Sequence, residues 1–364
     1  MAQLIVHTDR IISNLEKIQS YLERNNFSWT LVTKILSGYE PALEVILQHS
    51  IAKKLHSVAD SRISGLRRAK QINPSVKTMY IKPPAMDTVK SVIAYADISL
   101  NTSFRTIEAL NKAAAAAGKV HQIIIMLELG ELREGVLRER VVDFYSKVFE
   151  LQNIEVIGLG TNLGCMYGVQ PTYDKLLHLS LYKQLLEAKF SKQIPLISGG
   201  SSIVLPLVGK TSMPRNINHL RIGESAFMGT SPWDGKKFSP LSTKVFEFKA
   251  NIIELASKKN FPDDELTEGN IGHFVDRSNE EQELTYRAIT DFGLIDVEAS
   301  DLAIVDKNVK FVGTTSDMTV FDLGLAKVGK AHAQYKVGDR LSFLPSYMGV
   351  ARLMNSRFVD KVLI

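Results

Sequence analysis

The feature that most constrains this chain is an alternation. Across its first two-thirds, short apolar runs rich in β-branched residues trade places with amphipathic stretches of helical period. The runs are TLVTKIL (30–36), LHSVAD (55–60), KTMYIKP (77–83), ADISLN (96–101), HQIIIMLEL (121–129), IEVIGLGTN (154–162), PLISGG (195–200) and HLRIG (219–223). Between them lie segments such as FRTIEALNKAAAAAG, which Gly118 is suited to end, and TYDKLLHLSLYKQLLEAKF. Strands that alternate with helices run parallel and are covered by those helices. Eight of them within roughly 200 residues predict a closed (β/α)8 barrel rather than an open sheet.

The texture changes near Ser231-Pro232. From Ser239 onward, TKVFEFKANIIEL, YRAITDFGLIDV, VKFVGTTSDMTVFDLG and YKVGDRLSFLPSY read as short alternating strands separated by polar turns. The expected division is a barrel over residues 1–232 and a C-terminal β domain over 233–364, of ordinary domain size. The polar stretch NFPDDELTEGNIGHFVDRSNEEQE reads as a long loop.

Composition narrows the classes. No apolar run approaches the roughly 18–20 residues that span a bilayer, and MAQLIVHTDRIISNLEKI lacks the apolar core of a secretory signal. A cytoplasmic protein with no membrane partner is expected. The single cysteine, Cys165, excludes an internal disulfide framework and a cysteine-cluster metal site, and no metal is expected. The net charge of +5 is scattered along the chain rather than gathered in a basic block, so a nucleic-acid partner is not expected.

In a barrel, chemistry gathers at the C-terminal ends of the strands. Two features stand out there. The segment Ser198-Gly199-Gly200-Ser201-Ser202 follows the seventh run, and Gly223 follows the eighth. Glycines let backbone N–H groups approach an anion, hydroxyls add donors, and barrels often bind phosphate after strands seven and eight. Taken alone, a Gly/Ser segment is usually just a turn. Lys34 lies near the end of the first run, and its apolar flanks predict partial burial, which lowers a lysine's pKa and favours attack on an aldehyde. A lone lysine ordinarily snorkels to solvent instead. Lys82 is a rival, although Pro83-Pro84 after it suits a rigid turn. A buried lysine and a phosphate loop on one rim together suggest pyridoxal phosphate.

The chain resembles the alanine racemase family of fold-type III pyridoxal-phosphate enzymes, most closely its alanine/ornithine-racemase-like branch. The motifs that carry the resemblance are VHTDRIISNLEKI, LVTKIL, VADSRISGLRRA, MLELGELREGV, GLGTNLGCM, LRIGESAFMG, GTTSDMTVFDLG and SYMGVARLMNSRF. It implies that Lys34 is the cofactor-bearing lysine and the base on one face of the substrate. It implies that Arg133 meets the cofactor ring hydroxyl and the substrate carboxylate, and that Asn162 stands where the family carries a ring-supporting histidine. Arg221 would face the pyridine nitrogen, Tyr347 would bind phosphate with Ser198, Ser201, Ser202 and Gly223, and Met318 would line the substrate pocket. The implied reaction is racemization of a free amino acid such as alanine, ornithine or another long or basic one. A homodimer with sites completed across the subunit interface is implied as well.

Two positions depart from the family pattern. Met126 stands where alanine racemases carry a lysine that orients the arginine, which leaves Glu128 or Glu131 to orient Arg133. Phe292 falls at or near the tyrosine that serves as second base, and a phenyl ring moves no proton. Asp291, Asp296, His273 and Tyr286 are the alternatives. Asp317 matches an aspartate beside the family's site. The competing readings are a pyridoxal-phosphate lyase of the same fold and a pyridoxal-phosphate-binding protein without turnover.

Overall fold

A computed structural model describes residues 1–210, 213–262, 264, 266, 271–278, 281–326 and 335–364. The chain divides into two compact units, Thr8–Thr243 and a second formed by Met1–His7 with Lys244–Ile364.

The first unit is a closed barrel of eight parallel strands: Ser28–Val32, Ser57–Asp60, Thr78–Tyr80, Ile98–Asn101, His121–Met126, Ile154–Gly160, Leu196–Ser198 and His219–Ile222. All eight expected runs are strands. The last pairs with the first, with Arg221 opposite Thr30, and so closes the barrel. Val32, Ala59, Met79, Ile98, Leu100, Ile124, Met126, Ile157 and Leu196 form an apolar core cluster. Both faces of such strands are buried, which is why they read as nearly continuous apolar runs. The strands end earlier than the runs do, because the rim residues leave the ladder. After Val32 the chain turns through Lys34–Leu36, with Ser37 and Gly38 both at positive φ (52° and 73°).

The covering helices follow the expected periodicity. Phe104–Ala116 buries Ile107, Leu110 and Ala114, leaves the end of its alanine run exposed, and is followed by Gly118 at φ 63°. Thr172 caps Tyr173–Phe190 by accepting from the Lys175 N–H. Among the described residues no helix is long and apolar enough to cross a membrane.

The second unit is a mixed, mostly antiparallel sheet. Its boundary differs from the expected division at residue 232, and the reason is a strand of four residues. Gln3–Val6 pairs antiparallel with the start of Phe246–Lys259 and parallel with Asp360–Leu363, so the first seven residues belong to the β unit. Phe248, Phe292, Phe321 and Phe343 fill its core, with ring centroids 5.1 Å apart for Phe248–Phe292 and 5.7 Å for Phe292–Phe343. Of the expected long loop, His273–Phe274 is a strand paired with Gly313–Thr314. Residues 263, 265, 267–270 and 279–280 of that loop lie outside the described residues.

Candidate active site

Lys34 is the second residue past the end of the first strand, after Thr33. Thr33 ties that end to the next strand, its N–H at 2.8 Å and its hydroxyl at 3.2 Å from the Ala59 carbonyl. The expected partial burial of Lys34 is not found. Ile35 and Leu36 take the buried positions of the turn, and the Lys34 side chain is exposed within this chain. Consecutive residues of a tight turn cannot all face the core, and the apolar pair wins that competition.

The Lys34 charge is felt by two carboxylates, Asp60 and Glu224. Asp60 ends the second strand and is 2% exposed. Burial pushes its carboxyl up to about 6, against the backbone N–H groups of Arg62 and Ser61 and the charges of Arg62 and Lys34. Glu224, beside Gly223, is also raised by burial and opposed by the Lys34 charge. Motif reading gave neither carboxylate a role. Their positions at strand ends were the available signal.

Arg221 lies inside the rim at 5% exposure. One guanidinium nitrogen donates to the Ser198 hydroxyl and the other to the Thr161 carbonyl at 2.8 Å. Burial lowers its pKa to about 10, with the Arg133 charge adding to that and Glu134 opposing it. Arg221 therefore stays protonated at neutral pH.

The partner of Arg133 is Glu134, not Glu128 or Glu131. Arg133 donates to both Glu134 carboxylate oxygens, at 2.6 Å from Nη2 to Oε1, while its other terminal nitrogen lies 2.7 Å from the Cys165 sulfur. This pairing raises the Arg133 pKa. Glu128 instead accepts from the N–H groups of Gly130 and Leu132, which shapes the loop ahead of Arg133. Glu131 is turned to the neighbouring loop and accepts from the N–H groups of Gly164, Cys165, Met166, Tyr167 and Val169. Desolvation pushes its pKa up, but those N–H groups outweigh it and hold the carboxyl below its ordinary range. Met126 is a barrel-core side chain.

The Gly/Ser segment forms a cradle. Gly200 has φ 138°, and a Cβ there would lie 2.8 Å from Val204 Cγ2. A Cβ at Gly223 would lie 3.0 Å from Val32. The Ser202 hydroxyl oxygen accepts from the N–H groups of Gly223 and Ser225 at 3.3 and 3.2 Å. Both of its lone pairs are used, so its proton is left to donate to an acceptor. Bare glycine backbone with an oriented donor suits anionic oxygens. Ser201 precedes Ser202 at the start of this turn. Ser198 differs from its neighbours, because its hydroxyl is engaged by Arg221 and His219 rather than left for the cradle. Asn162 is half-buried next to Thr161, whose carbonyl holds Arg221.

The remaining sequence candidates belong to the β unit. Tyr347 opens the helix Tyr347–Asn355, which Ser346 caps by accepting from the Gly349 N–H at 3.0 Å. Met318 sits in the turn before Thr319–Leu325, close to Asp317. Phe292 is a fully buried core ring. Asp291 accepts from Asn251, and Asp296 from Ser356 at 2.6 Å. His273 is exposed and Tyr286 half-buried.

Residues 6–231 match the sequence model described as alanine racemase, N-terminal domain. The chain is 32% identical to an ornithine racemase of Acetoanaerobium sticklandii, over all of this chain and 99% of that protein. It is 27% identical to a lysine racemase of Thermotoga maritima, over 99% and 98% of the two chains. In fold it is similar to a solved alanine racemase of Clostridium difficile 630, with a TM-score of 0.71 at 15% identity over 100% of this chain and 95% of the other. With a closed (β/α)8 barrel, a following β unit and the family's sequence pattern along the barrel, the chain belongs to the alanine racemase family.

Proposed function

We propose that this protein is a pyridoxal-phosphate-dependent amino-acid racemase in which Lys34 carries the cofactor. The observation that carries this reading is the rim itself: Lys34, the Gly200–Ser202–Gly223 cradle and buried Arg221 all stand at C-terminal ends of strands of one barrel. The residues fit the cofactor, since the cradle suits its phosphate and the donor-only guanidinium of Arg221 suits a ring nitrogen. When bound, pyridoxal phosphate withdraws electrons from the α-carbon of an attached amino acid and so acidifies its α-proton.

The chain's own residues do the rest. The Lys34 amine would hold the cofactor and would take or return the α-proton on its side of the substrate. The Lys34 charge favours the ionised forms of Asp60 and Glu224 against the burial that raises both. Arg221, a donor that keeps its proton, would hold the ring nitrogen by a hydrogen bond and would leave the ring a moderate electron sink. Arg133 offers its planar fork to the substrate carboxylate in competition with Glu134. Tyr347 and Met318 act as phosphate and substrate residues from the β unit, and the enzyme is a cytoplasmic homodimer. The full-length similarity to an ornithine and a lysine racemase supports a substrate with a second amino group.

The test is deuterium uptake at the α-carbon in heavy water across a panel of L-amino acids, with product chirality followed alongside. Uptake with loss of chirality for ornithine or lysine is the expected result, and it should be absent in Lys34→Ala. Uptake with chirality retained would mean that only the Lys34 face has a base, with Phe292 a core ring rather than a proton carrier. No uptake with any substrate, despite bound cofactor, overturns the racemase reading.

A further inference from the structure

A line of hydrogen bonds crosses the barrel interior behind Arg221. From Arg221 it passes to the Ser198 hydroxyl, then to His219 Nδ1 at 2.9 Å. The other ring nitrogen, His219 Nε2, lies 2.9 Å from Thr30 Oγ1, which lies 2.7 Å from Ser57 Oγ. Ser57 Oγ in turn lies 3.3 Å from His56 Nδ1. Four barrel strands contribute, Leu196–Ser198, His219–Ile222, Ser28–Val32 and Ser57–Asp60, with His56 just ahead of the last. Ser198, His219 and Thr30 have no exposure, Ser57 has 1%, and His56 is half-buried.

The donor inventory gives this line a direction. A guanidinium only donates, so Ser198 accepts from Arg221 and must send its own proton elsewhere. Its other side-chain neighbour on the line is His219 Nδ1, which therefore carries no proton. His219 is then the neutral Nε2–H tautomer, and Nε2 donates to Thr30. Thr30 donates to Ser57, and Ser57 donates to His56 Nδ1. Reversing any link would point two protons at each other or leave a buried hydroxyl proton without an acceptor, at a cost of about 1–3 kcal/mol.

An apolar side chain at position 219 would fill the same space without burying polar atoms. The ring is instead aimed at the hydroxyl that holds the site arginine. We infer that His219 is a positioning residue for Arg221: it fixes the Ser198 hydroxyl so that its lone pair faces the guanidinium, and Ser198 with the Thr161 carbonyl sets the plane of that guanidinium. The inference deepens the proposed function, since its consequence for chemistry rests on Arg221 facing the cofactor ring.

The first readout needs no cofactor. With histidine and arginine labelled with nitrogen-15, the cofactor-free protein at pH 7 should show His219 as a neutral Nε2–H ring and slowly exchanging Arg221 side-chain protons. Thr30→Val removes one link while keeping shape, and His219→Gln removes the ring. Each should speed Arg221 proton exchange by about tenfold, the order of one weakened hydrogen bond to a charged group, while circular dichroism stays that of the parent. In the loaded enzyme Thr30→Val should move the cofactor absorbance band and lower kcat about tenfold with KM little changed.

A His219 ring that is protonated or carries its proton on Nδ1 overturns the inference. So do unchanged Arg221 exchange and an unchanged cofactor band in folded Thr30→Val protein. Failure of the parent protein to bind pyridoxal phosphate sinks the functional reading instead, and the cofactor-free spectra still decide the role of His219.

Discussion

Glu131 accepts the backbone N–H of Tyr167 at 2.9 Å, although the two residues are 36 positions apart. The same buried carboxylate accepts from Gly164, Cys165, Met166 and Val169, so one side chain closes the loop after the sixth strand onto the loop after the fifth. Glu131→Gln exchanges acceptor lone pairs for N–H donors that face other N–H groups. It should destabilise the protein by about 1–3 kcal/mol. Amide exchange at Cys165–Tyr167 and the rate of thiol labelling at Cys165 should both rise, and unchanged exchange there would count against the clamp.

Gly65 packs on Asp60 so closely that a Cβ at position 65 would sit 2.4 Å from Asp60 Oδ2. Asp60 cannot yield easily, because its other carboxylate oxygen is held by the Arg62 N–H at 2.8 Å. Gly65→Ala should therefore cost about 1–3 kcal/mol, although alanine is the better helix former. The midpoint of urea unfolding checks this, and a stabilised Gly65→Ala protein would refute it.

Acid should weaken the fold well before the carboxylates of an unfolded chain take up protons. Burial lowers His56 and His121 from 6.5 to about 4, the charges of Lys77 and Lys119 adding to the effect, and it holds His219 well below its ordinary value. Above pH 6.5 these rings are neutral in both states and contribute no pH dependence. Between pH 6.5 and 4 the unfolded chain binds protons that the folded rings refuse, so stability falls as pH drops. A shift of this size at His121 corresponds to roughly 3 kcal/mol. Asp60 works the other way: its carboxyl, raised to about 6, protonates first in the folded state and returns some stability below that pH. Unfolding midpoints at pH 7.5 and 5 should therefore differ, and His121→Gln should narrow the gap.

Lys34→Ala should abolish the absorbance of covalently held cofactor. Borohydride reduction of the loaded parent should fix pyridoxal phosphate to the peptide containing Lys34. Turnover should drop about a thousandfold or more, in the range of a lost proton-transfer group. Labelling of Lys82 instead would move the cofactor site.

Loss of Glu134 isolates its hold on Arg133. Glu134 accepts from the guanidinium that the proposed function assigns to the substrate carboxylate. Glu134→Gln should lower KM for the amino acid by a few-fold and leave kcat close to that of the parent, as expected for a change in ground-state binding.

The barrel was legible because its signal is local. Each strand carries its own apolar run and each helix its own period, so Ser28–Val32 through His219–Ile222 could be read without knowing their neighbours. The strand Gln3–Val6 was missed because four residues carry too short a pattern, and its place between Phe246–Lys259 and Asp360–Leu363 is fixed by pairings with residues more than 200 positions away. The rim positions of Lys34, Arg221 and the Gly/Ser segment follow from where the strands end. Their surroundings do not: Lys34 exposed beside Asp60 and Glu224, Arg133 turned to Glu134, and Ser198 given to Arg221 and His219.

The sequence by itself determined the order of elements, the closed parallel barrel and the set of residues presented at its C-terminal rim. Only the tertiary structure decided which acid faces which base and which hydroxyl is already engaged. The physical reason is range. Burial periodicity is set by the few residues on either side, whereas a hydrogen bond such as Thr30 to His219 depends on strands 189 positions apart meeting within 2.9 Å.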